Sequence, residues 1–112
     1  MTAMLVYVTV PSREEARKIA GAVVGERLAA CANIHGEMTS LYWWDGKIQR
    51  DGETLMIMKT PARNVKKLLK RVKQLHSYSV PEFLTLAPLE GNPDYLNWVL
   101  RETALTTKAR RH

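Results

Sequence analysis

Few residues of this 112-residue chain have side chains suited to chemistry. It holds one cysteine, Cys31, and three histidines, His35, His76 and His112. Cys31 and His35 form a C-x-x-x-H pair, and thiolate and imidazole are ligands that transition metals favour. On a helix, side chains four residues apart lie about 6 Å from one another and can share an ion. On a strand they share a face but stand roughly 13 Å apart, too far for joint chelation. The run Leu28-Ala29-Ala30-Cys31-Ala32 is small and apolar, which suits a cysteine that packs rather than reacts. The sequence contains no G-x-S-x-G, no H-E-x-x-H, no C-x-x-C and no phosphate loop, so no enzymatic activity is expected. A single cysteine cannot close an internal disulfide, and this fits a reducing compartment.

The secondary structure decides between the two geometries. Residues 4–10, MLVYVTV, are continuously apolar and β-rich, as in a buried strand. Ser12-Arg13-Glu14-Glu15 reads as a capping box, and Ala16, Ile19, Ala20, Val23 and Leu28 follow at near-helical spacing, predicting a helix over 13–27. Residues 31–44 and 47–60 are two long arms around Asp45-Gly46, a dipeptide that supplies the positive φ angles of a two-residue type I′ turn. Gly52 marks an expected bulge in the return arm. Thr60-Pro61 is expected to cap and open a second helix, with Val65, Leu68, Leu69, Val72 and Leu75 as its apolar stripe. Residues 83–88 read as a fourth strand, and Asn92-Pro93-Asp94 opens a short third helix. The pattern stops after Glu102, so residues 1–104 are expected to form one domain and residues 105–112 a flexible basic tail. This order is that of an α+β, ferredoxin-like βαββαβ domain with a long central β-hairpin and an extra C-terminal helix.

Bulk composition narrows the functional classes. No stretch approaches the ~18–20 apolar residues of a membrane span, and the N-terminus lacks the pattern of a signal peptide. The net charge is +6, of which Lys108, Arg110 and Arg111 supply half. The rest is only mildly basic, and no nucleic-acid partner is expected. The basic face of the second helix, with Lys66, Lys67, Lys70 and Lys73, reads as a solvated surface. An arm from Ala32 to Trp44 would span roughly 43 Å, whereas a globule of this size is only about 34 Å across. The hairpin must therefore bend or project, and its end carries Tyr42, Trp43 and Trp44. Exposed clustered aromatics and a sheet with helices on one face only both point to packing between subunits.

The segments ERLAACANI, TSLYWWDGKI, ETLMIMKT, LHSYSVPEFLTL and YLNWV are similar, in order and spacing, to those of the CutA family, the divalent-cation-tolerance proteins. The resemblance covers residues 5 to about 100. It implies a ferredoxin-like fold with a long hairpin, assembled as a homotrimer resembling the PII signalling proteins. It further implies a role in tolerance of copper and other divalent metals, no catalytic activity, and a cytoplasmic location. Tyr42, Trp43, Trp44 and Trp98 become the expected interface residues. By position, Lys59 and Thr60 fill the family's Lys-Thr, and His76, Tyr78, Pro81 and Glu82 fill its His-Pro-Tyr-x-x-Pro-Glu. Ser77 replaces the usual proline, and Val8 stands where some members carry a cysteine.

Two uses of the 76–82 segment stay open at this point. His76 and Glu82 could hold Cu²⁺ or another divalent cation at a subunit cleft, with Lys59 and Tyr78 lining that cleft for a small anionic ligand. The same residues could instead form a hydrogen-bonded network that fixes an interface. The corresponding functions are a trimeric metal-binding, metal-tolerance protein, or a PII-like signalling scaffold that takes a small ligand between subunits without catalysis.

Overall fold

A computed structural model describes residues 3–104; the expected basic tail, 105–112, lies outside the described residues. The elements are β1 (Ala3–Val10), α1 (Arg13–Gly25), β2 (Cys31–Trp44), β3 (Lys47–Pro61), α2 (Val65–Leu75), β4 (Phe83–Leu86) and α3 (Pro93–Ala104). The four strands form one sheet in the order β2-β3-β1-β4, with every neighbouring pair antiparallel. This is the α+β, ferredoxin-like arrangement expected from the sequence.

The core follows from strand periodicity. Even-numbered residues of β1 and β3 share one face, because Val6 pairs with Met58 and Val8 with Met56. These four are fully buried against Ile19 and Val23 of α1 and Leu68 and Val72 of α2. Ser12 caps α1, accepting a hydrogen bond from the Glu15 amide at 3.1 Å. Helix α1 stops at Gly25, two residues earlier than expected. Arg27 takes a left-handed φ of +64°, which no helix continues through. Its side chain then reaches α3, donating to the Glu102 carbonyl at 2.9 Å and its carboxylate at 2.8 Å.

Three further expectations need correction. Pro61 does not open the second helix; it is the last residue of β3, paired with Ala3, and a short 3₁₀ turn over Ala62–Asn64 intervenes before α2. Proline's fixed φ serves the end of a strand as well as the start of a helix. The bulge falls between His35 and Glu37, at Gly36, while Gly52 sits in register opposite Thr39. Finally, α3 is a full twelve-residue helix.

The face of the sheet opposite α1 and α2 is only partly covered. Cys31 pairs with Lys59 on that face, and α3 packs against β3 and β1, covering part of it. Leu84 and Leu86 of β4 remain exposed. The β2–β3 ribbon runs beyond the core and gives the molecule a longest dimension of 51 Å. Its turn carries the positive φ angles predicted for Asp45 (+52°) and Gly46 (+73°).

Candidate functional site

The bulge at Gly36 decides which side chains of the ribbon face the open side of the sheet. Before it, Asn33 and His35 lie on that side, opposite Ile57 and Leu55. The extra residue reverses the alternation. Beyond it, Met38, Ser40, Tyr42 and Trp44 take that side, and Leu41 and Trp43 turn to the helix side. Glu53 of β3 and Thr9 of β1 share the open side, because each lies one residue away from the core-facing Thr54 and Val8.

The loop after α2 completes the site. The His76 amide caps α2 by donating to the Val72 carbonyl at 2.8 Å, and His76 itself is extended, which turns the chain back towards β1. Its imidazole is buried. Nε2 lies 2.8 Å from the Thr9 carbonyl. A carbonyl only accepts, so Nε2 carries the proton. The other nitrogen, Nδ1, accepts from the Tyr78 amide at 3.1 Å. Glu15 of α1 has a carboxylate oxygen 3.6 Å from Nδ1 and accepts from the Ser77 amide at 3.0 Å. This network fixes Tyr78, whose ring leans on the imidazole at 4.9 Å between centroids. The Tyr78 hydroxyl then donates to Glu53 Oε2 at 3.0 Å. Burial first, and this hydrogen bond second, raise the Tyr78 pKa well above its ordinary value, so the phenol stays protonated.

Between ribbon and loop lies a pocket of about 500 Å³. Thr9, Ser40 and Tyr78 offer hydroxyls to it, Glu53 and Glu82 offer carboxylates, and Tyr42 and Trp44 form its aromatic wall. Glu82 Oε1 accepts from the Thr9 hydroxyl at 3.3 Å. Tyr42 donates to Asp51, and that bond, ahead of burial, raises the Tyr42 pKa. Among the described residues, neither Glu53 nor Glu82 has a basic side chain within 4.0 Å.

The residues singled out from sequence fall in separate places. His76 and Glu82 both converge on Thr9, but through different atoms, and in this arrangement both imidazole nitrogens are engaged. Among the described residues no group of three or more His, Cys, Asp or Glu is placed to hold an ion. Tyr78 lines the pocket. Lys59 does not: its Nζ lies 3.9 Å from Cys31 Sγ, and six strand residues, roughly 20 Å, separate it from Glu53. Cys31 and His35 occupy one face of β2 and share no ligand position. Trp43 projects from the helix side of the ribbon, and Trp98 stacks on Tyr95 at 5.7 Å. The pocket also draws on Thr9, Ser40 and Glu53, which no sequence motif singles out. The alternation running back from Lys59 through Ile57 and Leu55 could have placed Glu53, but nothing local marks Thr9.

Comparison with known proteins agrees with the fold. Residues 4–102 match the family model described as CutA1 divalent ion tolerance protein. The chain is 50% identical over 99 residues to the divalent-cation tolerance protein CutA of Thermus thermophilus, covering 88% of this chain and 96% of that protein. It is 44% identical over 100 residues to the chloroplastic protein CutA 1 of rice, covering 89% of this chain but only 56% of that one. The chain thus spans about half the length of the plant relative. The solved structure of the periplasmic divalent cation tolerance protein CutA of Archaeoglobus fulgidus superposes with a TM-score of 0.87 at 35% identity, covering 90% of this chain and 98% of that chain.

Proposed function

Because the chain belongs to the CutA1 divalent ion tolerance protein family, we propose that it serves divalent-cation tolerance as a cytoplasmic homotrimer that binds a divalent cation, copper being the ion expected. The observation that carries this reading is the pair of carboxylates, Glu53 and Glu82, that face one pocket without a basic partner among the described residues. Carboxylate and hydroxyl oxygens fit a divalent cation in kind. Glu53 and Glu82 would hold it, with Thr9 and Ser40 as neutral donors, and the ion would neutralise two otherwise unpaired charges. Copper also favours imidazole; His76 holds Tyr78, which lines the pocket, but does not line it itself. The ribbon supports assembly. Trp43 is 72%, Leu41 67% and Ile48 63% exposed in the single chain, a patch that association would cover.

Native mass spectrometry and calorimetry on untagged protein, with and without Cu²⁺, test the proposal. The expected result is three chains per particle and saturable Cu²⁺ binding, weakened at least tenfold by Glu82→Gln. A one-chain mass, or heats that do not saturate, would overturn it.

The pocket's size favours a second reading, a PII-like scaffold that takes a small molecule. At about 500 Å³ it is far larger than one dehydrated ion and lies within the range of small-molecule sites, about 300–1,000 Å³.

A further inference from the structure

We infer that the pocket between the ribbon and the 76–82 loop binds a small organic cation, an amine or quaternary ammonium compound. This rests on the second reading above, a small-molecule site in this pocket, and adds the chemical class of its ligand. Three observations bear on the ligand's charge.

The first is the lining itself. Among the described residues, Glu53 and Glu82 are its charged side chains, and no Lys, Arg or His lines it. Each carboxylate is engaged by one hydroxyl, Tyr78 on Glu53 and Thr9 on Glu82. An ionised carboxylate has about four acceptor sites, so both keep capacity for an N–H donor. The raised Tyr78 pKa adds to this: the phenol stays a donor, so it holds the Glu53 carboxylate in place without adding a charge.

The second is the aromatic wall. Trp44 and Tyr42 sit on the pocket side of the ribbon because the Gly36 bulge turned them there. Aromatic faces attract ammonium groups, tryptophan most strongly. Apolar surface beside two carboxylates suits a cation with a hydrocarbon body better than an anion.

The third is charge segregation. Residues 13–27 carry four basic and three acidic side chains, and residues 62–75 carry six basic and none acidic. The helix layer is therefore at +7. The strands, ribbon and remaining loops over residues 28–61 and 76–104 hold four basic and eight acidic residues, a net −4. The two carboxylates of the pocket, Glu53 and Glu82, belong to this net-negative part of the chain, which favours cations over anions there.

Calorimetric titration of the untagged full chain with putrescine and with choline, using succinate and AMP as anionic controls, tests the inference. Saturable binding of at least one amine is expected, falling with added salt, with no saturable heat from either anion. Glu53→Gln should weaken amine binding at least tenfold. It keeps a side-chain oxygen to accept from Tyr78, so an unchanged thermal unfolding curve would show that the fold is intact. Trp44→Leu should weaken choline more than putrescine. Equal or tighter binding of the anions, no saturable heat from either amine at millimolar concentration, or amine binding indifferent to Glu53→Gln would each overturn the inference. A parallel Cu²⁺ titration separates the two proposals. Copper binding with no amine binding sinks the amine site and leaves the metal reading standing, and amine binding without copper binding does the reverse.

Discussion

Replacing His76 by alanine should destabilise the protein by about 1.5–4.5 kcal/mol. The side chain has no solvent exposure, and both ring nitrogens are engaged. Removing it strands the buried Thr9 carbonyl, at about 1–3 kcal/mol, and the half-buried Tyr78 amide, at about 0.5–1.5 kcal/mol because water can partly replace the lost acceptor. Two conservative variants sharpen the test. His76→Gln can keep an N–H donor near the Nε2 position and so satisfy Thr9. His76→Asn can keep an acceptor near the Nδ1 position and so satisfy Tyr78. Since the Thr9 carbonyl is the more buried partner, glutamine should recover more stability than asparagine. Urea unfolding at matched protomer concentration, with the m-value monitored, measures all three. A loss below about 0.5 kcal/mol for His76→Ala, at unchanged m, would refute the claim that this network holds the loop. So would asparagine outperforming glutamine.

Tyr78 makes stability pH-dependent on the alkaline side. Its folded pKa is raised above the unfolded value near 10.0 by burial and by Glu53. Between those two values the unfolded state binds fewer protons, so stability is fully present below about pH 10 and falls as pH rises above it. Tyr78→Phe should flatten that fall in unfolding curves taken across the alkaline range. Arg27 combines a left-handed backbone with a half-buried ion pair to Glu102. Both Arg27→Ala and Arg27→Gly should speed amide exchange over α3. The glycine variant should cost about 1 kcal/mol less, because glycine adopts that φ without steric penalty. At the turn, Gly46 has a φ of +73°, and Gly46→Ala should destabilise by about 1 kcal/mol in chemical unfolding.

The pocket joins segments far apart in the chain. Thr9 comes from β1, Ser40 to Trp44 from the outgoing arm of the ribbon, Glu53 from the return arm, and Tyr78 to Glu82 from the loop after α2. Each was placed by a local event: the strand period at Thr9 and Glu53, the bulge at Gly36, and the extended backbone at His76. The buried imidazole ties the last of these to the first. A perturbation at His76 therefore reaches the pocket through Tyr78 without His76 lining it.

Much of the fold was legible in the amino acids themselves, because local chemistry dictates it. Alternating and continuous apolar runs set the strands, Ser12 set the start of α1, and Asp45-Gly46 set the turn of the ribbon. The length of the arms against the size of the core required a projecting hairpin. The strand period by itself also separates Cys31 from His35. Other features depended on partners distant in sequence. Whether Pro61 ended a strand or began a helix was decided by its pairing with Ala3. The bulge settled at Gly36 rather than Gly52 because the register of thirteen cross-strand pairs is a property of both arms together. Whether His76 kept a free lone pair depended on the Thr9 carbonyl, 67 residues away, and on the loop's own Tyr78 amide. Sequence fixes what each side chain can donate, accept or pack. Only the tertiary structure decides which of those capacities are already spent, since a hydrogen bond or a buried contact requires a second group whose position the local chain does not control.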